Sequence, residues 1–207
     1  HHLVQTGDGY AAHISGAIGV STDAQASWWG GRAIGTVPHA LIAAYGGDTV
    51  LAAKQFAEHT DPSTNPVVLV DFENDCVRTS LEVARALGDR LWGVRLDTSE
   101  TLVDVSVQKI MGDFDPRGVN AQLCWLVRKA LDREGFEHVK IVASGGFNVA
   151  KIERFERDGV PIDAYGVGSA FFQGSYDFPA DVVRVEGRPW GKVGRPSRPK
   201  PRLSVVG

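Results

Sequence analysis

Five apolar runs in this chain each end in a short set of residues able to do chemistry. Arg32-Ala-Ile-Gly-Thr-Val-Pro-His39 ends in an imidazole, and Val67-Val-Leu-Val-Asp71 ends in a carboxylate. Leu91-Trp-Gly-Val-Arg-Leu-Asp97 carries a cation two places before an anion, while Lys140-Ile-Val-Ala-Ser-Gly-Gly146 and Ile162-Asp-Ala-Tyr-Gly-Val-Gly168 end in glycine turns. Gly35 allows a tight exit past Thr36, and Pro38 fixes the chain just before His39. An imidazole held there can shuttle a proton or accept a phosphoryl group; it can equally cap or pack at a helix start. Strand alternation puts Arg95 and Asp97 on one face. The guanidinium can grip a carboxylate bidentately, and the Asp can orient a ribose hydroxyl or help hold Mg²⁺. The alternative is a salt bridge between the two.

Asp71, Glu73 and Asp75 place three carboxylates close together after one run. Such a trio can hold Mg²⁺ through waters, with Asp71 the candidate ligand, whereas Asp75 also suits a helix N-terminus. Ser144-Gly145-Gly146 precedes a helix start at Asn148, where bare backbone N–H groups bind phosphate. Gly166 and Gly168 offer a second turn. Two glycine turns after the last two strands match the phosphate site common to barrel enzymes. Trp28 and Trp29 are either a ring-stacking wall or packing residues. Together these groups suggest an enzyme handling a phosphorylated substrate.

The elements that must position these groups follow from periodicity. Helical patterns run over Leu41–Tyr45, from a cap at Asp48, over Ser80–Leu87 closed by Gly88, near Thr101–Met111, from a cap at Asn120 to Gly135, and from a cap at Asn148 to Gly159. The apolar runs between them read as strands, and Val67–Val70, apolar throughout, as one buried on both faces. Alternation of strand and helix predicts parallel strands with right-handed crossovers, about five units against the eight of a full α/β barrel. Strands near Gly9–Val20 complete the barrel irregularly, or it is incomplete. Residues 1–30 are expected to be a remnant of an N-terminal region and the barrel entry, 31–176 the barrel, and 177–207 a small C-terminal β extension. In that extension Asp181–Val185, Gly187–Gly191 and Lys192-Val193 read as an antiparallel meander. The stretch 194–202, rich in Pro and Arg, reads as an extended tail.

Composition narrows the class. The chain has 207 residues, 43% of them hydrophobic, enough for one large domain with a packed core. A formal charge of -3 gives no reason to expect nucleic acid or an anionic membrane. No apolar run approaches the roughly 20 residues that span a bilayer. Cys76 and Cys124 have no metal-ligand spacing and suggest no disulfide framework, so a reducing, cytoplasmic setting is expected.

Seven segments, in order along the chain, closely resemble the nicotinate phosphoribosyltransferase family. They are Gly-Val-Ser-Thr-Asp-Ala-Gln-Ala-Ser (19–27), Gly-Thr-Val-Pro-His-Ala-Leu-Ile (35–42), Leu-Val-Asp-Phe-Glu-Asn-Asp (69–75), Trp-Gly-Val-Arg-Leu-Asp-Thr (92–98), Val-Ala-Ser-Gly-Gly-Phe (142–147), Asp-Ala-Tyr-Gly-Val-Gly-Ser (163–169) and Gly-Arg-Pro-Ser-Arg-Pro-Lys-Pro-Arg-Leu (194–203). The resemblance implies the irregular TIM-like α/β barrel of type II phosphoribosyltransferases, with the family's N-terminal sandwich domain largely missing. It implies transfer of phosphoribose from phosphoribosyl pyrophosphate to nicotinate, giving nicotinate mononucleotide and pyrophosphate in pyridine nucleotide salvage. ATP as co-substrate, Mg²⁺ and a homodimer are implied as well. By the same resemblance His39 and Asp97 are catalytic, His39 being the phosphorylated histidine. The resemblance puts Arg95 and Asp97 on the strand lining the pyridine and ribose pocket and Gly145, Gly146, Gly166 and Gly168 on the 5′-phosphate turns. Thr36, Asp71 and Ser144 complete the candidate substrate-binding set from the residue reading above, with Asp71 also the candidate metal ligand. Two rival expectations stand beside this one. A quinolinate-type phosphoribosyltransferase or other phosphate-binding barrel enzyme needs no histidine of this kind, and the Gly-Thr-Val-Pro-His segment argues against it. A truncated, non-catalytic barrel would bind phosphate ligands or partners without turnover.

Overall fold

The computed structural model describes residues 2–110, 112–172, 184–185 and 187–189. Contacts divide the chain into two compact units, His1–Phe172 and Gln173–Gly207. The first is built on a parallel sheet of β1 (Val67–Leu69), β2 (Gly93–Leu96), β3 (Lys140–Ala143) and β4 (Ala164–Tyr165), lying side by side in chain order. Leu69 pairs with Arg95, Leu96 with Ala143, and Ala143 with Tyr165. Val37 adds a single parallel bridge to Val68, so the Arg32–His39 run lies against β1 as well. The strand order has no reversal, unlike that of a doubly wound sheet. Among the described residues the sheet stays open, as in the incomplete one of the two alternatives that the sequence left open.

The strands are short and apolar because helices cover them. Val68, Val94, Leu96 and Ile141 are fully buried. Helix α5 (Cys76–Leu87) turns Cys76, Thr79, Ser80, Val83 and Ala84 inward at helical spacing. Helix α7 (Ala121–Arg133) does the same with Leu123, Cys124, Val127 and Leu131, and α5 packs against both α7 and α4 (Thr49–His59). Burying each such aliphatic side chain is worth about 1.5–3 kcal/mol. The cysteines are free and buried, and burial pushes the Cys124 thiol up to about 12.

Four of the longer helices start where a polar side chain takes one of the first free N–H groups. Asp48 accepts from Leu51 N, Asp75 from Arg78 N, Asn120 from Leu123 N, and Asn148 from Lys151 N, the last opening α8 (Val149–Arg157). A cap of this kind is worth about 1 kcal/mol. The Asp75 cap explains why α5 begins before the expected Ser80. The Thr101–Met111 helix shrinks to α6 (Val105–Gln108). The fully buried Asp104 carboxylate accepts from Cys76 N and Ser106 N, and Val103 pairs instead with Arg117 in an antiparallel bridge. The alternative of strands near Gly9–Val20 fails over its first half. Helix α1 (His2–Ile14) runs through Gly9, favoured by Ala11 and Ala12 and followed by Gly16 at φ 94°. Helices α2 (Asp23–Ala26) and α3 (His39–Ala44) complete the unit.

In the second unit β5 (Arg184–Val185) and β6 (Arg188–Pro189) pair antiparallel around Gly187 at φ 75°. The rest of the expected meander and the 194–202 tail lie outside the described residues.

Candidate active site

Parallel strands in register bring their C-terminal ends to one edge, and the reactive residues leave the sheet there. Pro38, extended at φ -84°, caps the start of α3, so His39 is the first helical residue. Its Nε2 lies 2.8 Å from Asp71 Oδ1, just past β1. The side chains differ in setting: His39 is 43% exposed and Asp71 only 9%. Burial pushes the Asp71 carboxyl above its ordinary range, and the hydrogen bond and charge of His39 oppose that rise. A carboxylate only accepts, so Nε2 is the donor of this bond and Nδ1 is the ring nitrogen outside it. The geometry is that of an oriented, half-open nucleophile or base.

At the end of β2 the structure shows the salt-bridge reading of Arg95 and Asp97. Arg95 Nη2 lies 3.6 Å from Asp97 Oδ2, yet the side chains remain 30% and 25% exposed. Arg95 Nε donates to Ser144 Oγ at 2.8 Å, and Nη1 reaches Thr36 Oγ1 at 3.4 Å. Ser144 Oγ lies 2.6 Å from Asp97 Oδ1. Thr36, Arg95, Asp97 and Ser144, from three of the five runs, therefore form one polar cluster.

The glycine turns divide. Gly145 and Gly146 sit at φ 88° and 67°, the left-handed region that a side chain rarely adopts. Both are exposed, and among the described residues neither backbone N–H is spent on the chain. Lys151 Nζ donates to the Gly145 carbonyl at 3.1 Å, and burial lowers its pKa. A cleft of about 500 Å³ opens beside this turn, lined by Thr98, Glu100, Arg117, Gly145, Gly146 and Lys151 among others. Gly166 is different: its N–H donates to the Ala143 carbonyl at 2.8 Å, extending the sheet. A β-carbon on Gly166 would lie 3.1 Å from that of Ser144, tighter than an ordinary contact, so close packing also favours glycine there. Gly168 has open space around it and its carbonyl accepts from Phe171 N.

The expected Mg²⁺ trio separates. Glu73 and Asp75 both bond Arg78, and Asp75 also caps α5, leaving Asp71 alone with His39. Among the described residues no three His, Cys, Asp or Glu side chains converge as a metal site. Trp29 stacks on His13 of α1 with ring centroids 4.2 Å apart, and Trp28 stays 58% exposed. Sequence reasoning placed Ser144 with the glycine turn and overlooked Lys151. The β2–β3 register, which runs on to set Asp97 beside Ser144, is a signal that alternation within single strands cannot give.

No protein-family model matches the chain. Curated relatives do. The chain is 32% identical over 148 residues to a nicotinate phosphoribosyltransferase of Bacillus subtilis (strain 168), covering 70% of this chain and 26% of that one. It is 30% identical over 162 residues to nicotinate phosphoribosyltransferase pncB2 of Mycobacterium tuberculosis (strain H37Rv), covering 76% and 30%. For nicotinate phosphoribosyltransferase pncB1 of the same strain, identity is 32% over 180 residues, covering 84% and 35%. Over the part it spans, the chain belongs to the nicotinate phosphoribosyltransferase family. The matches span 26% to 35% of these relatives' length. A solved structure extends the likeness of this nicotinate phosphoribosyltransferase homologue. The nicotinate-nucleotide pyrophosphorylase from Pyrococcus furiosus matches it with a TM-score of 0.69 and 36% identity, over 95% of this chain and 46% of that one. Among the described residues no helix is long and apolar enough to cross a membrane.

Proposed function

We propose that this site joins nicotinate to the ribose of phosphoribosyl pyrophosphate, giving nicotinate mononucleotide and pyrophosphate, with ATP hydrolysis coupled through His39. The observation that carries the reading is the meeting, at one sheet edge, of the Arg95–Asp97 pair with an imidazole held by a buried Asp71. The names of the relatives support the same reading, as does the unreversed strand order, which suits one wall of an irregular barrel.

Each role follows from what the side chain has left to offer. Of the five N–H donors of a guanidinium, Arg95 commits one to Ser144 and one to Thr36 and turns Nη2 toward Asp97, which leaves Nη protons for the nicotinate carboxylate. Breaking the bond from ribose C1′ to pyrophosphate develops positive charge on the ribose, and the Asp97 carboxylate stabilises it. The unspent N–H groups of Gly145 and Gly146, ahead of α8, take the 5′-phosphate, with the Gly168 turn beside them. His39 Nδ1 attacks the γ-phosphorus of ATP. An N–P bond forms, the bond to the bridging oxygen breaks, and ADP leaves with that electron pair. Asp71 balances the charge on the ring. The residues suit an ion carried in by substrate rather than a protein-built cage, because only Asp71, with Oδ1 held by His39, remains of the acidic trio. When bound, Mg²⁺ neutralises the departing pyrophosphate. The reading includes a homodimer, which sedimentation equilibrium tests.

The experiment is chromatographic detection of nicotinate mononucleotide from nicotinate, phosphoribosyl pyrophosphate and Mg²⁺, with and without ATP. Product formation stimulated by ATP is expected. Product from quinolinate alone, or none from either acid, would overturn the proposal.

A further inference from the structure

Ser144 has the most tightly specified hydroxyl on the sheet edge. It is 2% exposed, in the residue following β3. Its Oγ lies 2.8 Å from Arg95 Nε, 2.6 Å from Asp97 Oδ1 and 3.0 Å from the Leu96 carbonyl. A serine hydroxyl has one proton and two lone pairs. Arg95 Nε can only donate, so it takes a lone pair. The proton has two candidate acceptors. The Leu96 carbonyl already receives the Ser144 backbone N–H at 2.9 Å, whereas Asp97 offers a charged oxygen at the shorter distance. Charge-assisted O–H···O bonds are the shorter and stronger kind. The proton therefore goes to Asp97, and the hydroxyl has none left for a ligand.

We infer that Ser144 is a positioning residue that ties Arg95 to Asp97 through one hydroxyl, and not a donor to the substrate phosphate. The inference rests on the proposed phosphoribosyl transfer for its consequence and on geometry for its substance. With the Nε edge of the guanidinium pinned, Nη1 near Thr36 and Nη2 3.6 Å from Asp97 Oδ2, the remaining Nη protons are the part of Arg95 that a ligand carboxylate can meet. With Oδ1 taken, Asp97 presents Oδ2. Gly166 holds the arrangement from the other side, since any β-carbon there would stand 3.1 Å from the Ser144 β-carbon. The phosphate is left to the Gly145 and Gly146 amides.

Ser144→Ala removes the hydroxyl without adding volume, and circular dichroism with thermal melting verifies that it folds. Steady-state kinetics should show at least a tenfold fall in kcat/KM for nicotinate and an unchanged KM for phosphoribosyl pyrophosphate. Combining Ser144→Ala with Asp97→Asn should cost less than the two losses multiplied, because they break the same link. Nitrogen-15 NMR of the Arg95 Nε–H group gives a readout independent of turnover. Its signal should be slow to exchange with solvent in the parent protein and fast in Ser144→Ala. A tenfold rise in the KM for phosphoribosyl pyrophosphate, with the Arg95 signal unchanged, would overturn the inference. If the parent protein shows no turnover, the functional reading fails alone, and the NMR comparison still decides the role of the hydroxyl.

Discussion

Replacing Asp71 with Asn tests how His39 is prepared for chemistry. The native contact joins a carboxylate oxygen to Nε2 at 2.8 Å, with the carboxylate almost covered. The amide is nearly isosteric, and its carbonyl oxygen can still accept the Nε2 proton. Ring orientation therefore survives and only the charge is lost. A hydrogen bond to a charged group contributes about 1.5–3 kcal/mol against about 0.5–1.5 for a neutral one. The difference, about 1–1.5 kcal/mol, corresponds to roughly five- to thirteenfold slower phosphorylation of His39. Asp71→Ala removes acceptor and charge together and should cost roughly ten- to a hundredfold or more. The assay is rapid-quench transfer of labelled γ-phosphate from ATP to protein, scored as an acid-labile phosphoryl group. Transfer without ATP should change far less in both variants. Equal phosphorylation in parent protein and Asp71→Ala would refute the reasoning, because the buried carboxylate would then have no part in activating His39.

Arg95→Ala should weaken nicotinate binding about ten- to a hundredfold and nicotinamide binding far less, since one charge-assisted contact is lost; equal losses by calorimetry would make Arg95 a structural or phosphate residue. Gly146→Val should raise the KM for phosphoribosyl pyrophosphate and lower the melting temperature. An added β-carbon would meet Glu100 Oε2 only at 3.7 Å, so the cost lies in the φ of 67°, about 1–3 kcal/mol for a non-glycine residue. The raised pKa of Asp71 means that the folded chain holds this proton more tightly than the unfolded chain does. Stability from this group is present below the ordinary carboxylate pKa and is lost as pH rises through the raised one. Melting curves across that window should show the decline in the parent protein and its absence in Asp71→Asn.

The parts of this architecture written in local patterns were legible in the sequence. Apolar runs of the Val67–Val70 kind gave the strands, because a strand covered on both faces has no polar alternation. Asp48, Asn120 and Asn148 marked helix starts through chemistry that acts within a few residues. What depends on contacts between distant segments was not legible. The Thr101–Met111 pattern suggests helix throughout, yet Asp104 serves Cys76 N, and that tertiary bond confines the helix. Likewise, the acidic run after β1 gives no sign that Arg78 draws off Glu73 and Asp75. The edge residues were recognised as a set from their positions at run ends. How they pair was not, since His39 with Asp71, and Ser144 with both Arg95 and Asp97, are partners across strands.

A crystal structure of the protein with nicotinate mononucleotide bound tests the central claim most directly. The account predicts the 5′-phosphate on the Gly145 and Gly146 amides, the nicotinate carboxylate on the Arg95 Nη groups and the ribose beside Asp97. A nucleotide seated away from the ends of β2 and β3, or one whose phosphate rather than carboxylate meets Arg95, would contradict it.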